Sequence, residues 1–353
     1  MRFTLATAFA SVSLLAFSAL AAQAAPKVVV TIKPIHSLAA SLMKGVGEPE
    51  LLVDGVASPH TYQMKPSDAS RLQEADVIFW VGHDMEKFME KPLEALGGKA
   101  RILELDQVEG LLKLHTREGG AFEAHDHGEE GHEHDKAGHE DGDHHHDADE
   151  KPDAGHDHDH AGETHEGHDH AAETHEHDHG EEVDLHLWLN TGNAKLMAAA
   201  MTKTLVLADP EHTQTYEKNL ADLNASLDAL SAEIKAEVAP VKDKPFIVFH
   251  DAYQYFEKEF GVKVAGSITV SPETMPGAAR LKQIRAKVAE LGSTCVFAEP
   301  QFEPKLVRVV LEGADAKSGV LDPEGGSYEK GEALYGDLML GIARSLKDCL
   351  AAR

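Results

Sequence analysis

The stretch DPEHTQTYEKNLADLNASLDALSAEIKAEVAP, residues 209–240, is the most regular pattern in the chain. Tyr216, Leu220, Leu223, Leu227, Leu230, Ile234 and Val238 recur at spacings of 4, 3, 4, 3, 4 and 4, the period of one apolar face of an α-helix. Asp209 and Pro210 suit a helix start and Pro240 a stop, so the pattern predicts a helix over 213–238. At 1.5 Å per residue it is about 40 Å long, enough to run beside two lobes. Fewer than four full heptads are present, so the stripe reads as core packing and not as a coiled-coil seam.

On both sides of this helix, strands alternate with helices. KVVVTI (27–32), ELLV (50–53), DVIFWVG (76–82) and ARILEL (100–105) are β-branched runs. Between them Ile35, Leu38, Ala39 and Leu42, then Met85, Phe88, Met89 and Leu93, take helical spacing. Beyond the helix, PFIVF (245–249), VKVAGSI (262–268), TCVFAE (294–299) and SGVLD (318–322) are separated by helical stretches at 276–291, 302–313 and 332–350. Alternation of this kind implies mainly parallel sheets. The expected fold is therefore α/β: two Rossmann-like lobes, 26–210 and 241–353, joined by a connecting helix over 211–240, with a cleft between them.

Two stretches cannot belong to a folded core, a leader ahead of the first lobe and an insertion within it. Residues 1–25 carry Arg2, an apolar run from Phe3 to Ala22, and Ala22, Gln23, Ala24 and Ala25, the three parts of a secretory signal with an A-x-A cleavage site. Ala and Ser dilute the run, which favours a cleaved signal over a membrane anchor, and no Cys lies nearby to take a lipid. The second stretch, 118–182, holds 24 acids against Lys136 and Lys151, so it carries −22 of the formal −28 and leaves only −6 elsewhere. A mildly acidic body with no Lys/Arg run argues against nucleic-acid binding and against docking on an anionic membrane. Without these stretches, about 260 residues remain, enough for two units of roughly 130 each.

The tract 118–182 contains seventeen of the 24 histidines: His125, His127, His132, His134, His139, His144, His145, His146, His156, His158, His160, His165, His168, His170, His175, His177 and His179. It has no Val, Ile, Leu, Met, Trp or Tyr, so it cannot bury enough apolar area to offset chain entropy and is expected to be disordered without ligand. Imidazoles interleaved with carboxylates suit a borderline ion such as Zn²⁺, Cu²⁺ or Ni²⁺ better than Ca²⁺. A merely solvating linker would explain the acids but not the histidines. The two cysteines, Cys295 and Cys349, favour a disulfide over two buried thiols in an exported chain. Closing 53 intervening residues would be worth about 4 kcal/mol in the chain-entropy model.

Seven histidines lie elsewhere. His250 follows PFIVF at the carboxyl end of a strand, the place where ligands bind in open α/β sheets. His60 sits in SPHTYQMKPSD, where Ser67 is a plausible helix cap, and His186 in DLHLWLN beside Trp188. His36, His83, His115 and His212 read as packing, capping or solvated residues, with His115 close enough to join the tract.

In this order SPHTYQMKPSD, the His-rich insertion, DLHLWLN, FHDAYQYF, FAEPQFEPKLV and LDPEG resemble the cluster A-I (cluster 9) metal-binding proteins of ABC importers, and most closely the zinc-specific ZnuA type. The resemblance covers nearly all of the chain after residue 25. It implies a zinc site built from His60, His186 and His250 in the cleft between two α/β lobes bridged by a rigid helix. It also implies a monomeric periplasmic protein that captures Zn²⁺ and delivers it to a membrane permease, with the tract as an auxiliary collector or sensor. Three neutral imidazoles suit Zn²⁺, whereas manganese relatives look to use a carboxylate where this chain has His250. Asp322 in LDPEG matches a place where some relatives supply a fourth ligand, and Pro59 stands where some zinc members carry Glu. The fourth position is therefore Asp322 or a water. Glu299, Pro300 and Gln301 match the family's EPQF and are expected to shape the second lobe near the site without binding metal.

Two rivals remain at this level. A metalloenzyme also holds zinc with three histidines and an open position, but no H-E-x-x-H, G-x-S-x-G or paired-carboxylate motif accompanies them. A metal buffer would place all its binding in the tract.

Overall fold

The first sheet is built from β1 (Val28–Val30), β2 (Glu50–Leu51), β3 (Val77–Trp80) and β4 (Arg101–Glu104), in the order β2-β1-β3-β4, with every pair parallel. The structure, a computed structural model, describes residues 25–117, 119, 121–122, 182–269, 271–273, 275–292 and 294–351. The leader at 1–24 and the seventeen tract histidines lie outside the described residues. α1 (Lys33–Leu42), α2 (Pro66–Glu74) and α3 (Glu90–Leu96) connect these strands. α4 (Thr191–Ala208) and α5 (Thr213–Val238) follow. The second sheet repeats the first pattern: β5 (Pro245–His250), β6 (Lys263–Thr269), β7 (Thr294–Ala298) and β8 (Ala316–Val320) lie in the order β6-β5-β7-β8, again all parallel. α6 (Gln254–Phe260), α7 (Ala278–Leu291) and α8 (Lys305–Leu311) connect them, and α9 (Leu334–Ala351) closes the chain.

Strand side chains alternate between faces, and here the alternation sorts the core into three parts. Val28, Val30, Val77 and Phe79 face one cluster with Phe246, Val248, Cys295 and Phe297 of the second sheet. Val29, Ile78 and Trp80 face a separate cluster with Leu72 of α2, and Ile247, Phe249, Val296 and Ala298 face one with Ile284 and Val288 of α7. The first cluster is continuous across both lobes because α1, α4, α5 and α9 all contribute to it. The lobes thus share one core in addition to holding a private one each.

The helix expected over 213–238 occupies Thr213–Val238, and Tyr216, Leu223, Leu227, Leu230, Ile234 and Val238 of its stripe are buried. Polar groups fix it to both lobes. Asn219 donates to the carbonyls of Leu42 (2.8 Å) and Lys44 (2.9 Å) at the end of α1. Ser231 donates to Glu259 of α6 (2.7 Å), which also accepts from the Thr191 amide (2.7 Å).

Local details depart from the sequence reading. Asp209 does not cap the helix: a 3₁₀ turn at Pro210–His212 intervenes, and the Asp209 carboxylate takes His212 Nδ1 (2.7 Å) and Tyr216 Oη (2.8 Å) instead. His212 is therefore partnered, not merely solvated. α2 begins at Pro66, one residue ahead of Ser67, and Asp68 accepts from the Lys65 amide (2.9 Å) in the capping role. α4 gives little periodic signal because Leu196 and Leu207 lie exposed on its outer side and alanines are spread around it, although its buried residues Ala194, Met197, Ala198, Met201 and Leu205 form one face. Cys295 of β7 and Cys349 of α9 form a disulfide with Cα atoms 6.3 Å apart, which pins the last helix to the second sheet.

Candidate metal centre

Three backbone segments bring the site together. His60 is carried by a 3₁₀ turn at Pro59–Thr61 after β2, and Pro59 at its start presets the backbone. Below it, Tyr62 donates to Asp68 (2.8 Å) at the start of α2 and sets its ring against Phe88. His186 immediately precedes a second 3₁₀ turn, Leu187–Leu189, whose three side chains are fully buried. His250 is the last residue of β5, so the strand itself aims it at the carboxyl edge of the sheet.

The rings converge. His186 and His250 Nε2 lie 3.2 Å apart, and the ring centroids are separated by 5.1 Å for His186 and His250, 5.5 Å for His60 and His186, and 5.7 Å for His60 and His250. One nitrogen from each can be chosen so that all three lie within 4.8 Å of one another. Among the described residues no other group of three His, Cys, Asp or Glu meets that spacing. His60 Nε2 is buried without a hydrogen-bond partner. A buried, unpaired imidazole nitrogen aimed at two others is costly unless an ion or a water takes it.

Carboxylates set the orientation of two rings. Asp184 Oδ1 accepts from both the His186 amide (3.0 Å) and its Nδ1 (2.7 Å). Glu299 at the end of β7 holds His250 Nδ1 at 2.7 and 2.8 Å through its two oxygens. With Nδ1–H committed to a carboxylate, each ring presents Nε2 as a lone pair, the tautomer that a metal needs. Asp184 is itself held by Gln254 (3.1 Å). Next to His250, Asp251 takes the guanidinium of Arg117, which also reaches Glu257 (2.8 Å).

Burial, with the neighbouring rings, lowers the pKa of His60 and His186 well below 6.5. Burial opposes charge on His250 too, yet Glu299 outweighs it and raises that pKa above 6.5. Burial pushes Asp184 up to about 7 against the hydrogen bonds it accepts. The centre thus combines two imidazoles that burial keeps from charging, a third whose proton affinity Glu299 raises, and carboxylates behind them.

The other candidates fall elsewhere. Asp322, after β8, is not in the cluster: Oδ1 accepts from Gln301 (2.8 Å) and the Gly326 amide (3.0 Å), and Oδ2 from the Ser327 amide (2.8 Å). His36 is buried with Nε2 2.9 Å from the Pro49 carbonyl, a packing role. His83 is exposed against Trp80, and His115 forms an isolated antiparallel bridge with Val183. The role of Asp184 is absent from the sequence reading, although the D-x-H spacing carries a signal for it, since a carboxylate two residues ahead can accept from both the backbone amide and Nδ1 of the histidine. Glu299, expected from EPQF only to shape the second lobe near the site, holds His250 directly although 49 residues separate the two.

The family profile described as zinc-uptake complex component A, periplasmic (ZnuA), matches residues 28–349. The high-affinity zinc uptake system protein ZnuA of Brucella suis is 53% identical over 324 residues, covering 92% of this chain and 91% of that protein. The protein of the same name from Yersinia pestis is 35% identical over 328 residues, covering 93% and 92%. Among solved structures, a ZnuA crystal structure superposes with a TM-score of 0.66 at 22% identity, covering 92% of this chain and 99% of that one. The periplasmic zinc-binding protein TroA from Treponema pallidum superposes at 0.68 with 17% identity, covering 93% and 100%.

Proposed function

The chain belongs to the ZnuA family of periplasmic zinc-uptake components, and from that membership we propose that it holds Zn²⁺ with His60, His186 and His250. It is the zinc-binding component of an ABC zinc importer and not an enzyme. The observation that carries the ligand assignment is the convergence of three imidazole nitrogens within 4.8 Å, two of them already oriented through Nδ1 by Asp184 and Glu299. Three nitrogen ligands with one open position match Zn²⁺ in geometry and softness. A water fills the fourth position, since both oxygens of Asp322 are engaged by other donors. The chain acts as a monomer, after removal of the leader, and hands its ion to the permease subunit of the importer. No helix among the described residues is long and apolar enough to cross a membrane. The tract 118–182 binds further zinc and serves as an auxiliary collector.

The test is a competition titration, against a chromogenic chelator, of the protein lacking 118–182. One tight zinc per chain is expected, with Mn²⁺ unable to displace it, and more than one zinc on the full chain. Replacing His60, His186 and His250 together by Ala in the shortened protein should abolish tight binding. Retention would sink the ligand assignment, and absence of any tight site in the shortened parent would move the metal chemistry into the tract.

A further inference from the structure

Asp184, which orients His186, also belongs to the paired chain at the base of the tract. We propose that Arg117 is a positioning residue that keeps the zinc affinity of the cleft independent of the tract, an inference that rests on the three-histidine reading above. The chains leading into and out of the tract run antiparallel where they meet. The Thr116 amide donates to the Glu182 carbonyl (2.8 Å), the Asp184 amide donates to the Leu114 carbonyl (2.8 Å), and His115 faces Val183. Only Leu185 separates this pairing from His186, so fraying of the pair would loosen the carboxylate that holds the ring. Two factors favour fraying. A two-stranded ladder this short is marginal by itself, and 59 residues stand between Phe122 and Glu182, a loop whose closure costs entropy at its ends.

The ties that oppose fraying come from the second lobe. Gln254 of α6 donates to the His115 carbonyl and to Asp184 Oδ2, both at 3.1 Å, and Tyr255 Oη accepts from the Leu114 amide (3.0 Å) and donates to the Asp184 carbonyl (2.6 Å). Arg117 is the first residue beyond the pairing, where fraying would begin. Its guanidinium takes the two oxygens of Asp251 through Nε (2.8 Å) and Nη2, its Nη1 lies 2.8 Å from Glu257, and its Cζ lies 4.0 Å from the centre of the Phe122 ring. A forked pair fixes direction as well as distance. Asp251 is buried and follows His250, so this one side chain joins the segment that orients His186 to the segment that carries His250. Further out, the Ala121 carbonyl accepts from the Ser267 amide of β6 (3.2 Å) and from Arg280 of α7 (2.6 Å). Gly266 makes room for that approach, since a Cβ there would lie 2.8 Å from the Ala121 oxygen.

The test compares one substitution in two chains. Trp188, with its ring centroid 5.3 Å from that of His186, reports the cleft by fluorescence, and Trp80→Phe leaves it as the single tryptophan. In that background Zn²⁺ is titrated, at free concentrations fixed by a chelator, into the parent, Arg117→Met and Arg117→Lys. Each is made as the full chain and as the chain lacking 125–179, a stretch with no Val, Ile, Leu, Met, Phe, Trp or Tyr and so with nothing to take from the core. Arg117→Met should weaken Zn²⁺ binding by on the order of tenfold in the full chain, the scale at which groups supporting metal ligands act, and by less than about threefold in the shortened one. Arg117→Lys, which keeps the charge and loses the fork, should fall between parent and Arg117→Met. Hydrogen exchange at the Thr116 and Asp184 amides should quicken in full-length Arg117→Met. Equal losses in both chains, or no loss in either, overturn the proposal, as does weakened binding with unchanged exchange at those amides. If Arg117→Met does not fold, Arg117→Lys decides by the same comparison. A parent whose Trp188 ignores Zn²⁺ overturns the three-histidine reading itself, which separates the two failures.

Discussion

On the proposed ligand set, His250 and Glu299 show how much of a metal centre lies outside the residues that would face the ion. Truncating either orienting carboxylate frees a ring to rotate and to choose the wrong tautomer, so Asp184→Asn and Glu299→Gln should each weaken zinc binding by about 10- to 100-fold. The chelator titration of the shortened protein measures this, and a change under about twofold in both variants would mean that packing alone holds the rings. Protons add a second expectation. His250 keeps a proton to above pH 6.5 and Asp184 to about 7, and both protons compete with an arriving cation. His60 and His186, with lowered pKa values, stay neutral through this range and add no competition. Affinity should therefore decline as pH falls through about 7, with proton release into the buffer that calorimetry in two buffers of different ionisation enthalpy detects; an affinity flat from pH 7.5 to 5.5 would contradict this. The three histidines are legible in the sequence because each stands in its own short motif. Their pairing with carboxylates is not: EPQF marks Glu299 as near the site, but its hydrogen bond with His250 depends on the pairing of β5 with β7 and leaves no trace in local spacing.

Among the elements, α5 is the most legible and the most consequential. Its 3-and-4 spacing survives in the structure because one face meets α1, α4 and α9 and the other meets water. By contrast α4 shows no such stripe in its sequence, because Leu196 and Leu207 stand on its exposed side. The strands are legible as β-branched runs, but their order is not, because parallel pairing joins segments far apart in sequence. Leu227 lies in the middle of α5 within the shared core, so Leu227→Ala should destabilise the whole protein by about 2–5 kcal/mol. Denaturant unfolding should stay a single transition, since the lobes share that core. Two separated transitions would show that they unfold independently.

For the molecule as a whole, the disulfide and the shared core act together. Cys295–Cys349 fastens α9 to β7, and α9 packs against α5, so the bond closes the second lobe onto the spine. Replacing both cysteines by Ser should cost about 2–4 kcal/mol while leaving the zinc stoichiometry at one in the shortened protein. Loss of zinc binding in a folded double variant would tie the bond to the site instead. The spine has a kinetic consequence. With Asn219 and Ser231 bonding one helix to α1 and α6, parting of the lobes is opposed, so an ion held as proposed above is expected to leave by exchanging ligands one at a time. His60 is the least enclosed of the three and rides on a three-residue turn, so on that reading its detachment is the expected first step out, and the time an ion stays is set by a turn of chain and not by the swing of a lobe.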